Sequence, residues 1–211
     1  FDAFPDDPEL AFRTNLPSDG EITVAFEDLF GRRNAGDADY NDFIATYTIT
    51  EGHPSEDSSL VKSIMVNATA TTKLAGYNHR FGIRIDAFSG SATLSGTYID
   101  DRGNEVAIRG VVSAPAEIDL FMNSRHAVGE SASFTLTFDT AQDRETAAAG
   151  ERLPEAPYNP YVVVDRTSHD IHLINREPNT GSINADDDFV DSRNFPWALL
   201  VPATWNHPEE A

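Results

Sequence analysis

Six side chains that offer oxygen to a cation crowd into sixteen residues: Glu27, Asp28, Asp37, Asp39, Asn41 and Asp42. Carboxylates this close repel one another unless water, protons or a cation relieves them. Hard cations such as Ca²⁺ take six to eight oxygen ligands of this kind. The cluster lies between two apolar stretches, 22–26 and 43–50, that read as strands, and Tyr40 and Phe43 interrupt the acids. Groups pinned beside a core cannot drift apart, so the six residues read as a calcium site. The plainer alternative is an acidic surface turn. Mg²⁺ suits the set less well because it retains more of its water, and an all-oxygen set serves zinc poorly.

Asp37, Asp39 and Asn41 fall at i, i+2 and i+4, the spacing that opens an EF-hand loop. Such a loop wants Gly at its sixth position and Glu at its twelfth. Asp42 and Thr48 stand there instead, and no helical pattern flanks them. The EF-hand reading fails.

Other residues are weaker candidates. Asp186, Asp187 and Asp188, with Asp191 nearby, suit either a second metal site or a solvated loop. His169 and His172 are three apart, which places them on opposite sides of a strand. His172 therefore reads as a buried, hydrogen-bonded histidine and His169 as a turn residue. Trp197 leads an apolar run and reads as core. Trp205 and His207 are the better candidates for contact with a ligand. No G-x-S-x-G, H-E-x-x-H, Walker or G-x-G-x-x-G pattern occurs, so the chain reads as a non-enzyme. A pair of hydrolytic carboxylates among so many acids is the remaining catalytic alternative.

The elements that must position these groups are strands. Runs rich in Val, Ile, Thr, Phe and Tyr recur at 22–26, 43–50, 61–71, 81–88, 91–99, 106–112, 131–138, 161–164, 170–174 and 197–201, and Gly and Asx turns separate many of them. Residues 141–153 lack an apolar stripe and read as loop. Residues 175–194 read as one long polar loop, a length that is usually functional or mobile. The expected fold is all-β: a single antiparallel β-sandwich, jelly-roll-like, with long acidic loops, spanning residues 1–211 as one domain. Residues 1–12 read as an extended N-terminal segment, free to reach a neighbouring subunit.

The chain has 211 residues, 35 acidic against 15 basic, for a net charge of −20. That charge disfavours nucleic acid and anionic membrane as partners. There is no cysteine, so disulfides and thiolate chemistry are excluded. No apolar run is long enough to span a membrane.

Val24-Ala25-Phe26-Glu27-Asp28-Leu29 followed by Gly36-Asp37-Ala38-Asp39-Tyr40-Asn41-Asp42-Phe43-Ile44 resembles the start of the LruC-type domain of bacterial lipoproteins and surface proteins. Ala38 stands where that family usually has an aromatic, at a position that is not a ligand. The likeness continues through Gly76-Tyr77-Asn78-His79-Arg80-Phe81-Gly82-Ile83 and Ala156-Pro157-Tyr158-Asn159-Pro160-Tyr161. It continues with Asp170-Ile171-His172-Leu173 and Pro178-Asn179-Thr180 and ends with Pro196-Trp197-Ala198-Leu199-Leu200-Val201-Pro202 and Pro208-Glu209. The resemblance implies a secreted or cell-surface bacterial domain, β-rich, with calcium at the acidic motif. It also implies a further segment beyond Ala211. A similar acidic signature occurs in calcium-dependent domains of RTX adhesins, which implies adhesion or capture of an extracellular peptide, glycan or protein. The alternative expectation is a subunit that assembles with copies of itself into a surface layer or extracellular filament.

Overall fold

The computed structural model describes residues 3–5, 7, 9–28, 38–202 and 205–207. It contains twelve strands and one short helix: β1 (Phe12–Leu16), β2 (Ile22–Phe26), β3 (Phe43–His53), β4 (Leu60–Thr72), β5 (His79–Ile85), β6 (Ala92–Ile99), β7 (Glu105–Val112), β8 (Ala116–Phe121), α1 (Ser124–Ala127), β9 (Ser131–Asp143), β10 (Asn159–Val164), β11 (Asp170–His172) and β12 (Ala198–Val201).

All twelve strands join one sheet, in the order β11-β10-β5-β8-β6-β9-β4-β3-β2-β12, with β1 on β3 and β7 on β6. Every pairing is antiparallel except β6 with β8, which meet in parallel at the single pair Ile99 and Phe121. The fold is all-β as expected, and where a jelly-roll-like sandwich was expected the strands form one nearly closed, barrel-like sheet. Hydrogen bonding is continuous, and the sheet curls until its two halves face each other. Phe26 and Phe43 of β2 and β3 meet Phe81 of β5 at ring distances of 6.2 and 5.6 Å. Those strands lie far apart in the sheet order, so only curvature brings them together.

Alternation builds the core. Along β9, Ala132, Phe134, Leu136 and Phe138 turn inward while their neighbours face out. Phe43, Ala45, Tyr47 and Ile49 do the same on β3. Each fully buried aromatic or aliphatic side chain of this kind contributes about 1.5–3 kcal/mol. Gly96 of β6 sits opposite Phe134. A Cβ there would stand 2.1 Å from the Ser133 carbonyl oxygen, on a backbone with φ of +153°. Only glycine fits the close approach of β6 and β9.

Ten of the twelve strands fall on the runs expected from sequence. β1 and β8 do not. The two residues before β1 are a leucine and an alanine, and the strand itself, Phe-Arg-Thr-Asn-Leu, has only two apolar positions. β8 is a short Ala-Glu-Ile-Asp-Leu-Phe segment. β1 also changes the reading of the N-terminal segment. Leu10 is buried, its side chain lies over Gly52, and Ala11 N–H donates to the His53 carbonyl at 3.0 Å. The described residues leading into β1 are therefore docked on their own β3.

Candidate functional site

The chain leaves β2 through Glu27 and Asp28 and enters β3 from Asp39, Tyr40, Asn41 and Asp42. β2 and β3 pair directly, with Phe26 opposite Phe43, so the ends of the acidic motif meet at one corner of the sheet. Asp28 N–H donates to Asp42 Oδ2 at 2.6 Å. Tyr40 N–H donates to Glu27 Oε1. Asn41 donates from its amide side chain to Asp39 Oδ2. Glu27 is 1% and Asp28 5% exposed, so these acids are pinned rather than solvated. Ala38 and Tyr40 adopt left-handed backbone, φ 56° and 53°. Non-glycine residues hold that conformation only when the surroundings impose it, at about 1–2 kcal/mol each.

Tyr40 ties the corner to the distal region of the chain. Its hydroxyl donates to the Pro196 carbonyl at 2.9 Å, and Glu27 N–H donates to the Trp197 carbonyl at 2.9 Å. Burial, together with the nearby Glu27 and Asp191 charges, pushes the Tyr40 phenol up to about 12. On the outer face of the sheet Tyr40 packs with Ala25 and Ile44, against partly buried Trp205.

Of the expected ligands, Glu27, Asp28, Asp39, Asn41 and Asp42 come together at this corner; Asp37 lies outside the described residues. Their chemistry, all hard oxygen, suits calcium. Several of their oxygens already accept hydrogen bonds, and among the described residues no group of three or more His, Asp or Glu side chains is arranged to hold a metal ion.

Asp28 has a partner that sequence spacing does not reveal. Its Oδ2 lies 3.0 Å from His79 Nε2 at the start of β5. His79 Nδ1 lies 3.2 Å from Ser124 Oγ, which also accepts from His79 N–H at 2.9 Å. One tautomer satisfies all three contacts: Ser124 O–H donates to Nδ1, and Nε2–H donates to Asp28. The order Ser, His, Asp is that of a nucleophilic relay. Here the Ser124 side chain is fully buried, His79 is 1% exposed, and the imidazole packs 5.9 Å from the Phe43 ring. The relay is buried and pins β5 and α1 to the acidic corner.

The remaining candidates scatter. Asp187 Oδ1 accepts from Phe189 N–H at 2.7 Å and Asp188 Oδ1 from Val190 N–H at 3.4 Å, each closing its own turn, while Asp186 is exposed. Trp205 and His207 are half-buried, their rings 6.5 Å apart, beside a small cavity lined by Thr23, Thr46, Thr71 and Thr72. Trp197 is core, in keeping with its position beside an apolar run. His172 is wholly buried between Asn159 Oδ1 at 2.8 Å and Asp170 Oδ2 at 3.0 Å.

A second buried polar group holds the opposite side of the core. Arg144 makes a two-pronged bond to Glu51, 2.8 and 2.6 Å, and Tyr158 O–H donates to the same carboxylate. The motif around Tyr158 is visible in sequence, but Glu51 and Arg144 are 93 residues apart, and only the fold joins them.

Among the described residues no helix is long and apolar enough to cross a membrane. No curated protein matches the chain. Among solved structures, a "putative lipoprotein" from Bacteroides ovatus is similar in fold, with a TM-score of 0.59 at 12% identity. The alignment covers 92% of this chain and 66% of that one, so this chain spans just under two thirds of its length. A family model matches residues 59–211, beginning after the acidic corner. The chain belongs to that family, described as a domain of unknown function, DUF4842.

Proposed function

We propose that this chain is a non-catalytic binding module that works outside the bacterial cell and is stiffened at one corner by calcium. The observation that carries the reading is the burial of Glu27 and Asp28 against Asp39, Asn41 and Asp42, on backbone bent left-handed at Ala38 and Tyr40. A hard cation would offset the repulsion of acids that cannot move apart. Glu27, Asp37, Asp39, Asn41 and Asp42 would supply its oxygens, and Asp28 would anchor the corner through His79. The LruC-like motifs and the lipoprotein name of the structural relative support a surface or secreted location. The charge of −20 suits a partner that is neither nucleic acid nor anionic membrane.

The test is a thermal melt with calcium and with excess EDTA. An ion that binds only the folded chain, at a hundredfold excess over Kd, stabilises by about 2.7 kcal/mol. For a chain of this size that is about 5–10 °C in Tm. Equal melts would sink the calcium reading.

A self-assembling surface subunit is the second reading. β7 favours it: among the described residues it pairs with β6 alone, and Val111 on it is 73% exposed. Open strand edges template the addition of another strand. Calcium-dependent polymers in light scattering would support this reading over capture by a monomer.

A further inference from the structure

Two hydrogen bonds fix which backbone groups of β7 face away from β6. Asp100 N–H donates to the Asn104 carbonyl at 2.9 Å, and Asp139 N–H donates to the Ser91 carbonyl at 3.1 Å. The first starts the β6–β7 ladder on the even-numbered residues of β7. The second turns the odd-numbered residues of β6 toward β9, which agrees. With Tyr98 opposite Val106 and Gly96 opposite Ile108, residues Val106, Ile108 and Gly110 bond to β6. Glu105, Ala107, Arg109 and Val111 then direct both N–H and C=O to the other side. All four are exposed, and among the described residues β7 pairs with β6 alone. Glu105 and Arg109 lie about 13 Å apart along the strand, too far to meet each other. Across β6 they face Ile99 and Ser95, which carry no charge.

We propose that this edge is a dimer interface whose occupant is β7 of a second copy, antiparallel about a twofold axis at Ala107. In that register Glu105 stands opposite the partner's Arg109, and symmetry makes the same pair twice. On the core side Val106 stands opposite the partner's Ile108, a residue that already packs partly buried against the core. Opposite charges and β-branched pairs directly across an antiparallel ladder each contribute about 0.2–1 kcal/mol, and like charges destabilise it. An axis at Ile108 sets the charges opposite Val111 and Ala107 instead, and an axis at Arg109 sets that residue against itself. Charge therefore selects the axis at Ala107. The surface beside the edge is neutral, since β6 presents Thr93, Ser95 and Thr97 next to it. The net charge of −20 on each chain is screened over about 8 Å in physiological salt. A twofold pairing uses the same edge in both copies and is closed. It yields a dimer rather than the filament of the surface-subunit reading, and it does not depend on calcium.

Sedimentation velocity on the full chain, from about 1 to about 300 μM, in calcium and in EDTA, tests this. The expected result is a monomer–dimer equilibrium in both, with a Kd of about 1–100 μM for so small an interface. Glu105→Arg and Arg109→Glu should each weaken it at least about tenfold, because each creates two like-charged pairs. The double variant Glu105→Arg/Arg109→Glu should return to within about threefold of the parent. Both side chains are exposed, so Tm should move by less than about 2 °C. The chain has no cysteine, so a single introduced one reports the register. Ala107→Cys should cross-link under mild oxidation, its Cα about 5.5 Å from its copy. Val111→Cys, about 27 Å from its copy, should not. A monomer at every concentration, a dimer that forms in calcium alone, a dimer insensitive to both charge reversals, or no recovery in the double variant overturns the proposal. So does cross-linking at 111 rather than 107, or assemblies that lengthen with concentration. An EDTA-stable dimer alongside an EDTA-insensitive melt supports the dimer and removes only the calcium reading.

Discussion

His79 Nε2 stands 3.0 Å from Asp28 Oδ2 inside the core, and that contact joins β5 to the acidic corner across the curl of the sheet. Breaking one side of a buried pair leaves the other partner desolvated and unmatched. His79→Gln or Asp28→Asn should each cost about 2–4 kcal/mol of unfolding free energy. The double variant should cost clearly less than the sum, because the two residues act as one unit. Urea unfolding of the four proteins measures this, and strict additivity would show that the contact contributes nothing.

Glu51 and Arg144 should behave as a second such unit. Both side chains are nearly inaccessible, at 3% and 8%. Glu51→Gln keeps the shape and removes the charge that Arg144 faces, so a loss of about 3–5 kcal/mol is expected. In Tm that is roughly 6–20 °C. Replacing the pair by Met and Leu should restore much of the loss, which thermal melts of the single and paired variants would reveal.

Acid should unfold the chain to some extent through Asp170. Burial pushes its carboxyl up, but bonds from His172, Ser182 and the Asn179 backbone N–H outweigh burial and hold it below the usual carboxylate range. The unfolded carboxyl titrates near the ordinary value of about 3.9. The stabilisation is therefore complete above that pH and is lost as pH falls through the lower folded value. Asp170→Asn should be less stable than the parent at pH 6, and the gap should shrink steadily below about pH 4. A gap that stays constant from pH 6 to pH 2 refutes the assignment.

Base should act through Tyr40. Its folded phenol titrates at about 12 and the unfolded one at 10.0. The folded state thus resists ionisation that the unfolded chain undergoes, and stability falls across that interval. Tyr40→Phe gives up the bond to Pro196 and should cost about 1 kcal/mol near neutrality. That deficit should narrow between pH 10 and 12, where only the parent is penalised. Stability against pH for both proteins checks the sign.

The strands are legible in the sequence because alternation is local: Ile, Thr, Val, Ala and Phe at 22–26 name β2 without help from the rest of the chain. The acidic corner is legible for the same reason, since its residues lie within one short stretch. What sequence hides is what curvature creates. Asp28 and His79 are 51 residues apart, Glu51 and Arg144 are 93 apart, and neither pair carries a spacing that signals it. The run at 175–194 contains no strand, in keeping with its polar composition, yet its acids at 187 and 188 serve local turns that charge counting cannot distinguish from ligands.

β12 lies antiparallel on β2, with Val201 opposite Thr23 and Ala198 opposite Phe26. The two ends facing each other at Thr23 and Val201 make this pair a zipper rather than a shear joint. Tension between those points runs along the inter-strand hydrogen bonds, so the bonds break in succession instead of resisting together. The next connections in line are Trp197 to Glu27 and Pro196 to Tyr40. A pull on the chain beyond Val201 would thus peel the sheet edge and then open the acidic corner, which makes that corner the mechanical fuse of the domain.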